Sequence, residues 1–140
     1  MEIKLLKGIN QFEFGLNKGT FLQQNPNNSQ FEIIEEDDEL KTESIFINEI
    51  KSSLYFEGGE TEMIFTSCET ENNEALLYGV KVFDKTEKEI IHLMKDYKFT
   101  DLEEEDEEWG EKRISFYDAM ADFYFSQGKL VSVYWGILLL

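Results

Sequence analysis

The sequence predicts an α+β fold made by tandem duplication of a (β)αβββ unit, with one antiparallel sheet and two helices on one face. Three observations predict it: short segments of alternating apolar and polar residues, an amphipathic helix with a clear start signal, and a second occurrence of the same features in the same order. At 140 residues we expect a single domain, 1–140, made of two repeats at about 5–68 and 76–135.

The repeat is visible in two alignments of the chain with itself. Leu5–Glu13 and Leu76–Asp84 share four identical residues in nine at an offset of 71. Thr20–Phe65 and Glu89–Tyr134 align without gaps at an offset of 69, with eight identities in 46 positions. Four of these identities lie in acidic segments, and the other four lie where strands and a turn are expected. The shared order of features therefore carries the prediction of a duplication.

Each copy contains one predicted helix after a short strand. In the second copy, Thr86 and Glu89 form a capping box, because each side chain can satisfy a free backbone N–H of the first helical turn. Apolar residues then recur at helical spacing as far as Tyr97. The helix of the first copy, at about 17–24, is weaker, since Gly19 interrupts it and Pro26 ends it.

Three strands follow each helix, and their alternation assigns their side chains to two faces. The pairs Gly58-Gly59 and Gln127-Gly128 are the predicted hairpin turns, because glycine accepts a positive φ. The predicted strands are 43–49, 53–57 and 61–68, then 112–118, 122–126 and 130–135. The side chains predicted to face the helices are Leu54, Phe56, Phe123 and Phe125. Those predicted on the opposite, aromatic face are Tyr55, Tyr117, Tyr124, Tyr134 and Phe46.

Charge is concentrated in two acidic runs. The formal net charge is −17, of which residues 35–39 contribute five negative charges and residues 101–108 contribute seven. Such a chain should repel nucleic acid and anionic membranes and attract a basic protein partner. Neither run has the alternating ligands or turn glycine of a calcium loop, so we expect no metal and no cofactor. The runs are expected to be solvated loops, or alternatively to dock a basic surface through Glu35, Asp37, Glu104 and Asp106.

Three single residues are candidates for chemistry or binding. Trp109, directly after the second run, either packs under the loop or anchors an interface. His92 has no companion for catalysis and is expected at the surface, and Cys68 is expected to be an unreactive residue at a strand end. With one cysteine no intrachain disulfide can form, which favours a reducing, cytoplasmic location.

The tandem layout resembles the family of beta-lactamase inhibitory protein, in which two small helix-and-sheet repeats form one sheet with a concave open face. The resemblance is one of pattern and covers most of the chain, without a shared motif. It implies partner binding through the open face of the sheet. That family is secreted and disulfide-bonded, which a chain with a single cysteine cannot reproduce.

Together these patterns predict a non-catalytic, acidic protein-binding module, either toxin-neutralising or regulatory, that uses the aromatic face and both acidic runs. One alternative is a small enzyme with carboxylate acid/base groups among Glu57, Glu60 and Asp122. Another is a homodimeric structural protein.

Overall fold

The computed structural model describes residues 1–28, 30–59 and 62–138. Within these ranges the chain forms thirteen strands and two α-helices. The elements of the first half are β1 (Glu2–Lys4), β2 (Gly8–Ile9), β3 (Phe12–Glu13), α1 (Lys18–Gln24), β4 (Glu32–Glu36), β5 (Lys41–Ile47), β6 (Ser52–Gly58) and β7 (Met63–Thr70). Those of the second half are β8 (Leu76–Leu77), β9 (Val80–Lys81), α2 (Glu87–Asp96), β10 (Leu102–Asp106), β11 (Glu111–Phe116), β12 (Ala121–Ser126) and β13 (Lys129–Gly136).

The main sheet has eight strands in the order β10-β11-β12-β13-β7-β6-β5-β4. All neighbouring strands in it are antiparallel. Each half of the sheet consists of four strands that follow one another in the chain after a helix, and the halves join where β7 pairs with β13. The predicted α+β fold is confirmed, while the origin of the two halves by duplication stays a prediction.

Both helices cover the same face of the main sheet. Phe21 of α1 packs edge-on against Phe56 of β6, with ring centroids 5.4 Å apart. Lys112 of β11 forms an ion pair with Glu87, the first residue of α2. The helix-facing residues predicted from alternation, Leu54, Phe56, Phe123 and Phe125, are all buried in one core cluster. The other side of the main sheet, away from α1 and α2, is called the open face below.

Five short strands form a second sheet on the helix side, in the order β3-β2-β1-β8-β9. Its central pair, β1 with β8, is parallel and joins the two halves of the chain. The sequence predicted only one short strand in each copy. The indole of Trp135 on β13 links this sheet to the main one, since its Nε1 donates a hydrogen bond of 2.9 Å to the carbonyl of Gly8.

The prediction that the acidic runs are loops is wrong for most of the second run and for the first two residues of the first run, while residues 37–39 lie in a loop as predicted. Glu35 and Glu36 belong to β4, and the second run forms β10, so the two runs are the edge strands of the main sheet. Each half therefore has four strands after its helix instead of three. An edge strand forms a ladder on one side only and exposes most of its side chains, and charge there discourages pairing with other chains. Such a strand shows no alternation of apolar and polar residues, which is why the sequence pattern resembled a loop.

Glycines act in two different ways at the two predicted hairpin turns. Gln127 and Gly128 have φ values of 53° and 79° and form the tight turn predicted between β12 and β13. Gly58 and Gly59 do not have positive φ, so that part of the prediction is wrong. A Cβ on Gly58 would lie 1.8 Å from the carbonyl oxygen of Glu62, so glycine is required there for a close backbone approach.

Cys68 and His92 have simple structural positions. Cys68 lies within β7 at the centre of the main sheet and not at a strand end, and its side chain is fully buried. This burial raises the pKa of its thiol well above the usual value. The side chain of His92 is exposed on α2, as predicted. Neither helix of the described ranges is long and apolar enough to cross a membrane.

Candidate functional site

Strand pairing aligns five side chains across the middle of the open face. Successive partners on β6, β7, β13, β12 and β11 are Ser53, Glu69, Tyr134, Asp122 and Ser115. We call this line of residues the central row. Glu69 and Tyr134 lie at its middle, where the two halves of the sheet meet.

The four predicted tyrosines lie on or beside the open face. Tyr55, Tyr124 and Tyr134 are half-buried on the strands, and Tyr117, just after β11, is 53% exposed. The rings of Tyr55 and Tyr134 are neighbours, with centroids 6.0 Å apart and planes inclined by 50°. The predicted orientation of these side chains is confirmed, while their role in binding stays a prediction.

Two carboxylates flank Tyr134 in the central row, and neutral hydroxyls hold both. The hydroxyl of Tyr55 donates to Oε2 of Glu69 at 3.2 Å, and Oγ of Ser115 donates to Oδ1 of Asp122 at 2.6 Å. In the described part of the chain, no Lys, Arg or His nitrogen lies within 4.0 Å of either carboxylate. Both carboxylates are therefore held in position by hydroxyls, and the charge of Arg113 acts on Asp122 only from beyond 4.0 Å.

The tyrosine hydroxyls of this region remain protonated donors at neutral pH. Burial, followed by the negative charge of Glu69, raises the pKa of Tyr55 to about 12. Burial is also the largest cause of the raised pKa of Tyr134, and for Tyr124 burial is followed by the charge of Asp122. Loss of a proton next to a carboxylate in a partly buried site would place two negative charges together, which is unfavourable.

The second acidic run is partly compensated within the chain, since three of its seven carboxylates form ion pairs among the described residues. Lys112 bridges Glu104 and Glu87 at 2.7 Å each, and the hydrogen bonds to these two carboxylates raise the pKa of Lys112. Arg113 forms ion pairs with Glu105 and with Glu107, the latter at 3.2 Å. Glu104, a predicted docking residue, thus has a cationic partner of its own.

The remaining predicted residues lie at the two edges of the sheet. Glu35 is on β4, and Asp106 ends β10. Asp37 shapes the turn after β4, where Oδ1 accepts from the amides of Leu40 and Glu39 and these hydrogen bonds lower its pKa. The backbone of Trp109 lies in a 3-10 turn, and its side chain is outside the described part of the structure.

The structure does not bring the two acidic runs together. They are separated by the full width of an eight-stranded sheet, roughly 30 Å at the usual strand spacing. Both runs contribute to the long-range electrostatic field on the two sides of the open face. They are too far apart for one small contact surface of a partner to touch both. The central row, which the sequence did not assemble, is the place where aromatic rings meet two carboxylates that form no ion pair among the described residues.

Two shallow depressions flank the Glu69–Tyr134 pair on the open face. One, of about 430 Å³, is lined by Phe46, Lys51, Ser53, Glu69 and Glu71. The other, of about 270 Å³, is lined mainly by Tyr117, Met120, Asp122, Tyr134 and Ile137.

A larger groove, of about 930 Å³, lies beside α1 and the first acidic run. At its base, the buried carboxylate of Glu43 is bound by Lys18 and by Lys41, the latter at 3.3 Å. Burial raises the pKa of Glu43, but the hydrogen bonds and charges of the two lysines outweigh it and the net shift is downward. A carboxyl used as a general acid needs a raised pKa, so this one fits a structural ion cluster. In the residues that the structure covers, no group of three His, Cys, Asp or Glu side chains is arranged to hold a metal ion.

We expect Glu43→Gln to destabilise the fold by about 1–3 kcal/mol at neutral pH, because two lysines lose a charged acceptor. The pKa of Glu43 is lower in the folded chain than in the unfolded one. Its contribution is therefore complete above the unfolded pKa of about 4.3 and is lost as the pH falls through the folded pKa. Denaturant unfolding at pH 7 and at stepwise lower pH measures this difference between wild type and variant.

The control for this measurement is Glu13→Gln, because Glu13 is exposed on β3 and forms no ion pair among the described residues. Its stability should follow that of the wild type at each pH. A gap between wild type and Glu43→Gln that does not narrow in acid would contradict the proposed ion cluster.

No family model matches this chain, and neither curated proteins nor solved structures contain a significant match to it. The resemblance to the beta-lactamase inhibitory protein family therefore stays a prediction from the sequence pattern. The function proposed next rests on the geometry and charge of the open face.

Proposed function

We propose that this chain is a non-catalytic binding module that captures a basic protein through the open face of its main sheet, in a toxin-neutralising or regulatory role. The observation that carries the proposal is the central row, where Tyr134 lies between the carboxylates of Glu69 and Asp122 and neither has a cationic partner among the described residues. One face of the sheet is covered by helices, and the other presents tyrosines and acids.

The charge of the chain favours a basic partner over a second copy of itself. With a net charge of −17, two copies placed face to face would oppose their carboxylates, which costs several kcal/mol when the charges are close. A basic protein would be attracted from a distance by the whole field, including both acidic edge strands. The tyrosines would then supply contact area at a low cost in side-chain entropy.

Affinity capture from source cells with matched variants tests this function. The face variant is Tyr117→Ala with Tyr124→Ala, and the control is Tyr97→Ala, a partly exposed tyrosine at the end of α2 on the helix side. We expect a basic protein to be retained by the wild type and by the control at low salt, and to be lost with the face variant and at high salt. The retained protein is then purified and titrated against each variant.

Two outcomes would oppose the proposal. Equal retention by the wild type and the face variant would remove the open face from the binding event. A dimer in light scattering that dissociates in the face variant would instead favour self-association through this face.

A further inference from the structure

We infer that the middle of the open face receives one arginine side chain of the basic partner, with its guanidinium on the ring of Tyr134 and between Glu69 and Asp122. This inference rests on the proposed function and names the group that the site recognises. Charge complementarity with two carboxylates that are held by hydroxyls and form no ion pair among the described residues is the observation that selects the occupant.

The register of the sheet places both carboxylates beside the same ring. Tyr134 is the direct partner of Glu69 on β7 and of Asp122 on β12, all on the open face. Directly opposite residues in antiparallel strands have Cβ atoms about 5 Å apart. A flat cation on the ring is thus within reach of a carboxylate on each side.

The two carboxylates are preorganised for a cation. Each accepts one hydrogen bond from a neutral hydroxyl, of Tyr55 or of Ser115, and a carboxylate offers about four acceptor positions. Lys112 and Arg113 of β11 and Lys18 of α1 form ion pairs with other acidic side chains, and the charge of Arg113 also acts on Asp122 without an ion pair within 4.0 Å. A cation that binds at the central row can therefore contact both carboxylates without breaking an ion pair of this chain.

Arginine fits this arrangement better than lysine. A guanidinium is planar, stacks on an aromatic ring and directs several N–H donors outward in its plane, so it can address two carboxylates at once. An ammonium is a compact, strongly hydrated charge without a stacking face. The hydroxyl of Tyr134 is bound to Oγ of Ser67 at 2.9 Å, which holds the ring in place.

The probe is the blocked peptide acetyl-Gly-Arg-Gly-amide, titrated into the ¹⁵N-labelled full chain and followed by amide shifts. The matched neutral probe carries citrulline in place of arginine, and a third probe carries lysine. We expect the arginine peptide to change the amide shifts around Glu69, Asp122 and Tyr134. The citrulline peptide should bind more weakly by about tenfold or more, because citrulline keeps the shape of arginine and lacks its charge.

Variants of the chain separate the roles of the three residues. Glu69→Gln and Asp122→Asn keep the shape and the hydroxyl contacts, and each should weaken the arginine peptide by about tenfold. Tyr134→Phe keeps the ring and loses the hydrogen bond to Ser67, so it should weaken binding less than Tyr134→Leu, which should lose the shifts because the ring is gone. The control is Glu13→Gln with Asp84→Asn, which removes two exposed carboxylates that lie outside the main sheet. Amide spectra of each variant without peptide verify the fold. If Tyr134→Leu does not fold, the results for Glu69→Gln and Asp122→Asn decide whether the inference holds.

Equal binding of the arginine and citrulline peptides, or unchanged binding by Glu69→Gln and Asp122→Asn, would overturn the inference. Lysine binding as tight as arginine would overturn the assignment to a guanidinium. The proposed function is tested separately by affinity capture. It is wrong if capture of the basic protein does not depend on Tyr117 and Tyr124. If capture depends on these tyrosines but not on Glu69 and Asp122, the function stands and the arginine site is wrong.

Discussion

Trp135→Ala should lower the free energy of unfolding by about 3–5 kcal/mol, the usual cost of removing a large buried aromatic side chain. Trp135 is fully buried on β13, one of the two central strands of the main sheet. Its indole also donates to the carbonyl of Gly8, so the variant loses both packing and a buried hydrogen bond between the two sheets. Urea unfolding followed by circular dichroism measures the difference.

Two companion variants separate these contributions. Trp135→Phe keeps a buried ring but has no N–H donor, and should cost less than Trp135→Ala. Val131→Ala changes a partly exposed residue on the same strand and should stay within about 0.5 kcal/mol of the wild type. A loss below about 1 kcal/mol for Trp135→Ala would mean that the two sheets do not depend on this side chain.

Gly58→Ala is expected to destabilise the fold by about 3 kcal/mol or more, although it adds only one methyl group. The added Cβ would lie 1.8 Å from the carbonyl oxygen of Glu62 and 2.8 Å from Cα of Met63. Both contacts are with backbone, so the strain cannot be relieved by rotation of a side chain. The hairpin of β6 and β7 would have to open at its end. The same denaturant assay measures this loss.

The neighbouring glycine is the matched control for this substitution. A Cβ on Gly59 would meet the carbonyl oxygen of Glu39 at 3.6 Å, an ordinary contact, and its φ is not positive. Gly59→Ala should therefore be nearly neutral, or slightly stabilising because alanine restricts the unfolded chain. Equal losses for the two substitutions would contradict the close approach at Gly58.

The distribution of charge changes how the acidity of the chain is understood. The sequence predicted that the acidic runs, which hold most of the net charge, are solvated loops or alternatively dock a basic surface. In the structure, three glutamates of the second run are bound by Lys112 and Arg113, whereas Glu69 and Asp122 are held only by hydroxyls among the residues described. The runs supply the field, and the site proposed for direct contact is the middle of the sheet.

Local patterns were sufficient for much of the fold. The capping box at Thr86 and Glu89 forms as predicted, because both of its bonds lie within one helical turn. Alternation placed Tyr55 and Tyr124 on the open face, because side chains along one strand alternate between the two faces. These features depend on residues a few positions apart, which a sequence displays directly.

Glu69 was missed for an identifiable reason. The ladder between β6 and β7 shifts register between Tyr55 and Phe56, so that Thr66 is an extra residue in β7. A bulge of this kind interrupts the period of two, so the faces of the residues after it cannot be read from alternation. The predicted strand also ended at residue 68, whereas β7 continues to Thr70, so Glu69 lay outside it. The sequence likewise did not predict the hydroxyls that hold Glu69 and Asp122.

The sequence by itself determined the two helices, six of the eight strands of the main sheet and the sidedness of the tyrosines, because these follow from local periodicity and capping. Only the tertiary structure decided that the acidic runs become opposite edges of one sheet and that Glu69 meets Tyr134. That meeting depends on the pairing of residues 67–70 with residues 133–136, which are far apart in the chain. Register between such strands is set by the packing of the buried face, and no local pattern of either strand specifies it.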